Sequence, residues 1–223
     1  MPRVVVGVAI AVVITVAIGI AAYQFSRERV PDAVAPPAPV TPVAGTVYED
    51  DFILGDGDSP VTLIEFASLT CPHCASFHRD ILPHLKKDYI DTGKIRLVYR
   101  DFPTSPVKLA LAAAMLARCG GEDRFFGFLE VLYRSQERWS QSENPRRELE
   151  QIARMGGMSS SKFDACLDNK ALLEKLQARV QRDQERYGIR STPSFVLDGR
   201  KLSRVETVED FRDALDSALA RNR

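Results

Sequence analysis

Cys71, Pro72, His73 and Cys74 stand between two apolar runs of different period. Upstream, Val61-Thr62-Leu63-Ile64-Glu65-Phe66 is short, β-branched and almost wholly apolar, which reads as a buried strand. Downstream, Phe77, Ile81 and Leu85 recur at spacings of four and mark one face of a helix. Two thiols separated by two residues at a strand-to-helix junction are the layout of a thiol–disulfide exchange site. Both sulfurs fall in the first helical turn, close enough to bridge. Cys71 lies at the helix N-terminus, where unpaired N–H groups and the helix dipole favour an anion, so its thiol is expected well below the free value of about 8.5. Pro72 suits the first helical position, whose N–H has no partner in any case. His73, when protonated, adds positive charge beside the thiolate. A stabilised thiolate is a good leaving group, which makes the disulfide easy to reduce and the protein an oxidant. Cys74, deeper in the helix, is then the resolving thiol. Two other readings of the pair are half of a zinc site, for which a second pair with ligand spacing is missing, and a structural bridge, whose loop is too short to stabilise much.

Further along, Ser191-Thr192-Pro193-Ser194-Phe195-Val196-Leu197-Asp198-Gly199 reads as a tight turn entering a strand, followed by a hairpin turn at Asp198-Gly199. Proline at the head of a central strand needs special geometry. A cis Thr192–Pro193 bond supplies it, since cis bonds are essentially confined to proline; the plain alternative is a trans proline before a strand. Glu65 shares a strand face with Val61 and Leu63. A carboxylate buried there is costly and is expected to hold its proton more tightly than usual. Beneath the helix it is placed to accept and return the Cys74 proton. The alternative is a strand-end glutamate that reaches solvent or pairs with Arg96 or Arg100.

Glu65-Phe66, then Cys71-Pro72-His73-Cys74, then a long helical stretch, then Gly188-Ile189-Arg190-Ser191-Thr192-Pro193-Ser194-Phe195 resembles the DsbA-like thioredoxin-fold oxidoreductases. The similarity covers roughly residues 47–223. It implies an α/β thioredoxin fold with an inserted α-helical subdomain at about 104–188. It also implies donation of disulfides to exported cysteine-containing proteins, and re-oxidation by a membrane quinone reductase of the DsbB type. In the resemblance Glu65 matches a buried acid, and Thr192 with Pro193 shapes the substrate groove. Thr192 departs from the oxidases, which more often carry Val there, and is similar to the isomerase and other branches. Direction of exchange therefore stays open between oxidase and isomerase or reductase. A non-catalytic thioredoxin-like binding module is the reading from a different class.

Cys119 ends an apolar helix at the Gly120-Gly121 stop, and Cys166 falls in a short helix, Ser160 to Leu167. An even cysteine count in an extracytoplasmic chain favours a second, structural bridge between them, closing a loop of about 45 residues. Two free buried thiols, or a regulatory disulfide, are the alternatives.

Val4 to Ala22 is an uncharged apolar run close to the ~20 residues that span a bilayer. It is long for a cleavable signal, so residues 1–22 are expected to anchor the chain in the inner membrane, with a cleaved signal as the alternative. Residues 23–46, rich in Pro and Ala, read as an extended linker, and 47–223 as the folded, periplasmic domain. The 30 basic and 30 acidic residues balance, which gives no argument for nucleic acid. No cofactor motif and no metal-ligand set appear; the cysteine pair itself is the redox agent. Asp56-Gly57-Asp58 reads as a turn rather than a calcium loop, because the twelfth position is Ala67. His78 and His84 are six apart and do not share a helical face.

Overall fold

The computed structural model describes residues 47–222. The anchor or signal expected at 1–22 and the linker at 23–46 lie outside them. Among the described residues no helix is long and apolar enough to cross a membrane.

The first element among the described residues is a short strand, β1 (Phe52–Leu54), which sequence reading missed. The expected central strand follows as β2 (Val61–Ala67), with every residue buried. A continuous helical segment at 72–90, α1, comes next: Pro72–Ser76 and Leu82–Leu85 are α, while Phe77–Ile81 and Lys86–Ile90 wind as π turns. β3 (Ile95–Asp101) pairs parallel to β2, as a strand–helix–strand unit requires. The helical block comprises α2 (Val107–Cys119), α3 (Glu122–Arg134), α4 (Gln136–Ser140), α5 (Pro145–Met155), α6 (Ser160–Leu167) and α7 (Lys170–Tyr187). β4 (Ser194–Leu197), β5 (Arg200–Lys201) and α8 (Val208–Arg221) complete the chain. The sheet order is β1-β3-β2-β4-β5, with β2 central and all pairs but β2–β3 antiparallel.

Local chemistry accounts for the element ends. Asp198 and Gly199 both take positive φ (45° and 80°), the geometry of the tight hairpin between β4 and β5. β5 stops at Lys201, and Arg204 adopts φ 59°, a left-handed conformation incompatible with an extended ladder. Asp56 accepts from the Asp58 N–H, so Asp56-Gly57-Asp58 is indeed a turn. Thr207 caps α8 reciprocally with Asp210, a capping box.

The two sheet faces carry separate cores. Val61 and Leu63 of β2 pack with Phe77 and Leu85 of α1 and Phe211 and Leu215 of α8. Ile64 and Phe66 pack on the other side with Val196 and Ile189, against Val180 and Tyr187 of α7. Trp139, Phe125 and Phe128 fill the insert, whose core reaches Cys71, Cys74 and Tyr99. Below the α7 side, Arg100 is fully buried against Asp51 (2.7 Å) and Asp183 (3.3 Å), and Arg179 of α7 also bonds Asp51. Buried charges persist only when paired in this way.

Candidate active site

β2 ends at Ala67, and a four-residue loop, Ser68 to Cys71, turns the chain into α1. That loop is pinned from both sides. The Cys71 N–H donates to the Ser68 carbonyl (3.0 Å), and the Ser68 hydroxyl accepts from the Thr104 N–H (3.1 Å). Gln136 of α4 donates to the carbonyls of Leu69 (2.8 Å) and Cys71 (3.0 Å). Cys71 is therefore held as the N-cap of α1, with extended backbone (φ −86°, ψ 119°) and Pro72 at the first helical position. Gln136 is a support that sequence reading missed; it lies 65 residues away with no local signal.

Both cysteines are free thiols, and they differ sharply. Cys71 is 8% exposed and Cys74 fully buried. A hydrogen bond from the Cys74 thiol, against the opposing effect of burial, leads in bringing the Cys71 thiol down to about 5; Thr192 and the backbone N–H groups of Cys74 and His73 assist. The help from His73 thus comes through its N–H as the first-turn donor, while its exposed side chain faces a groove. Burial, the bond given to Cys71 and the nearby charge of Glu65 push the Cys74 thiol far above its ordinary value. One sulfur is poised as a thiolate and the other as a proton donor, the division of labour that thiol–disulfide exchange needs.

Thr192–Pro193 is cis and faces the pair, with the Cys71 Sγ–H aimed at the Thr192 carbonyl at 3.4 Å. Ser105–Pro106, ahead of α2, is also cis and had no sequence signal. Around Pro193 runs an open groove of about 700 Å³, lined by His73, Phe77, Ile81, Thr192, Phe195 and Leu202 among others. It is wide and partly apolar, suited to an extended peptide beside Cys71.

Glu65 is fully buried at the centre of the sheet, opposite Tyr99 on β3 and Phe195 on β4. Neither basic partner weighed from sequence reaches it. Arg96 bonds the Thr62 hydroxyl (2.8 Å) and the Gly57 carbonyl, and Arg100 turns to Asp51 and Asp183 across the sheet. The partner of Glu65 is His78, whose Nε2 lies 2.9 and 3.1 Å from the two carboxylate oxygens. His78 sits one turn beyond Cys74 on α1. Its ring stacks on Tyr133 of α3 at 4.1 Å, and the Tyr133 hydroxyl bonds that of Tyr99 at 2.8 Å. The spacing of four between Cys74 and His78 was the available signal, since i and i+4 share a helix face.

Cys119, at the end of α2, is bonded to Cys166 of α6, with Cα atoms 6.1 Å apart. Among the described residues no group of three or more His, Cys, Asp or Glu side chains is arranged to hold a metal ion.

This geometry has counterparts among known proteins. A protein of Rickettsia typhi provisionally named a protein-disulfide oxidoreductase is 36% identical over 180 residues, which is 80% of this chain and 66% of that protein. The chain thus spans about two thirds of the length of this and the other Rickettsia relatives it matches. The crystal structure of alpha-DsbA1 from Wolbachia pipientis is similar with a TM-score of 0.73 and 28% identity, covering 79% of this chain and 94% of that one. A protein-disulfide isomerase from Novosphingobium aromaticivorans is similar with a TM-score of 0.66 and 27% identity, covering 76% of this chain and 97% of that one. The family model described as Thioredoxin matches residues 48–217, nearly the whole of the folded region, and with these relatives it shows that the chain belongs to the thioredoxin family, in its DsbA-like branch.

Proposed function

We propose that the protein is an extracytoplasmic thiol:disulfide oxidoreductase that introduces disulfides into exported proteins. The observation that carries the reading is the asymmetry of the pair: Cys71, capping a helix, is brought down to about 5, while buried Cys74 is pushed far up. In the donating direction a client thiolate attacks Cys71 Sγ of the Cys71–Cys74 disulfide. The S–S bond breaks, a client–Cys71 mixed disulfide forms, and Cys74 leaves as a thiolate that takes up a proton. A second client thiolate then attacks the client sulfur, and Cys71 departs as the stabilised thiolate. The client is oxidised by two electrons and the pair is reduced. Glu65, buried beneath α1, returns the proton to Cys74; Thr192 and Pro193 border the groove that receives the client. The reduced pair is re-oxidised by a membrane quinone reductase of the DsbB type, with residues 4–22 anchoring the chain at the inner membrane.

The alternative direction, isomerase or reductase, is favoured by two specific observations: threonine rather than valine stands before the cis-proline, and a structural relative is named an isomerase. The reduction potential of the Cys71–Cys74 couple in the full-length protein, equilibrated against glutathione, separates them. A value above about −180 mV identifies a donor, and one near about −270 mV identifies a reductase. The proton role of Glu65 is tested by Glu65→Gln, which should slow exchange and flatten its pH dependence; unchanged rates from pH 5 to 9 would refute it.

A further inference from the structure

The exchange reaction moves a proton at Cys74, and Cys74 is sealed from solvent. So is Glu65, its nearest charged neighbour. A base with no outlet can serve one half-reaction and then stalls. The carboxylate of Glu65 makes its side-chain hydrogen bonds to one residue, His78, with Nε2 within 3.1 Å of both oxygens. The His78 side chain is 6% exposed, but its ring lines a cleft of about 470 Å³ between α1 and α3, on the opposite side of α1 from the peptide groove.

We propose that His78 is the proton outlet of the buried site, carrying protons between Glu65 and the cleft each time Cys74 forms or leaves a disulfide. The inference rests on the oxidoreductase reading and deepens it. When Cys74 closes the mixed disulfide, its sulfur attacks Cys71 Sγ, the bond from Cys71 to the client breaks, and the client leaves as a thiolate. The Cys74 proton passes to Glu65. His78 takes it at Nε2 and gives up a proton from the ring to the cleft. The reverse path delivers the proton that Cys74 needs as a leaving group. Imidazole suits the task because it can take a proton at one ring nitrogen while giving one up from the other.

The other groups around His78 fit this role. Cys74 lies on its own helix, Glu65 comes from β2, Tyr99 from β3 and Tyr133 from α3. Burial holds both tyrosine hydroxyls well above their usual range, so neither exchanges protons near neutral pH. Arg79, Lys86, Glu130 and Arg134 also line the cleft and set the field at its mouth. Separate sides of α1 thus serve separate traffic: peptide thiols on the Pro193 side, protons on the Tyr133 side.

His78 acts through Glu65 and is a positioning residue, so the test needs readouts that packing alone would not move. The full-length reduced protein is mixed with saturating oxidised glutathione and acid-quenched, and closure of the mixed disulfide by Cys74 is followed by mass. His78→Gln keeps an N–H donor near Glu65 but carries no titratable proton. It should slow closure about tenfold at pH 7 and remove the pH dependence near neutrality, less than the roughly hundredfold minimum typical of a direct general acid or base, because His78 acts through Glu65. The Cys71 thiolate absorbance should titrate as in the wild type. His78→Ala should slow closure similarly and recover on addition of imidazole, which the open cleft admits. Wild-type closure rates from pH 5 to 9 in His78→Gln would overturn the proposal, as would a folded His78→Ala that is slow but indifferent to imidazole. If His78→Ala does not fold, His78→Gln decides alone. A wild-type protein that fails to exchange at all would instead overturn the oxidoreductase reading.

Discussion

The two cysteine pairs of this protein have the same atoms and opposite surroundings. Cys71 and Cys74 share one helical turn, at the edge of a peptide-sized groove, with a carboxylate and an imidazole behind them. Cys119 and Cys166 come from two helices of the insert, 47 residues apart in sequence, and are bonded within its apolar core. The first pair closes almost no chain, so its bridge adds little to folding, and its value lies in an N-capping thiolate. The second closes a long loop, packs against alanines, Phe163 and leucines, and has Cys119 at the C-terminal end of α2, the end of a helix that disfavours a thiolate. Reactivity follows helix position and charge, while stabilisation follows loop length.

The largest effect should separate the pairs outright. Cys71→Ser should abolish turnover of a dithiol peptide, a loss beyond about a thousandfold as for other nucleophile deletions. The double variant Cys119→Ala/Cys166→Ala should stay within about twofold of wild type in the same assay. A large activity loss in the double variant would make the second pair regulatory and dissolve the comparison.

Stability should reverse the order. Removing the Cys119–Cys166 bridge should cost about 3–4 kcal/mol in urea unfolding, from the entropy of the opened loop. Oxidising Cys71 and Cys74 should not stabilise the protein, and in the neutral range should destabilise it relative to the dithiol form.

That last difference should depend on pH in a defined direction. In the reduced folded protein Cys71 titrates at about 5, against about 9 when unperturbed. Above pH 9 the thiol is ionised folded or unfolded, and the stabilisation of the reduced form is complete. As pH falls from 9 towards 5 the unfolded chain binds a proton that the folded one does not, and the stabilisation declines; below 5 it is gone. The oxidised form has no thiol to titrate and serves as the reference. Unfolding of both forms between pH 4 and 9 should therefore show a gap that widens with pH, and a constant gap would refute a depressed Cys71.

The smallest effect is expected at Thr192. Its carbonyl faces Cys71 Sγ whatever the side chain, whereas its side-chain hydrogen bond favours the thiolate. Thr192→Val removes only the second contribution. It should raise the Cys71 midpoint by less than about one unit in a thiolate absorbance titration, since three other donors remain.

Much of the scaffold was legible because its signals are local. The apolar run at 61–66, the spacing of Phe77, Ile81 and Leu85, and the Gly120-Gly121 stop each lie within a few residues of what they specify. Other features escaped for the same reason. β1 is three residues long and exists by pairing with β3, so no periodicity of its own marks it. The end of the strand after Gly199 has no local signal, because the left-handed turn at Arg204 is set by the path into α8. Gln136 looked like an ordinary helical residue until α4 was laid against the loop at Leu69.

The sequence left open the cis bond and the burial of Glu65, but by itself determined the cysteine pair, its place at a helix start, a proline at the head of a later strand and an acid on the β2 face shared with Val61 and Leu63. Those follow from residue type and short spacing, which fix backbone geometry and alternation. Only the tertiary structure decided what stands behind the pair. Glu65 had basic candidates on the neighbouring strand, yet Arg96 leaves towards the Thr62 hydroxyl and the Gly57 carbonyl and Arg100 towards Asp51 and Asp183, while His78 descends from the helix above to meet it. Which charge a buried group meets depends on how layers stack and which side chains turn inward, and that is settled by packing between distant segments.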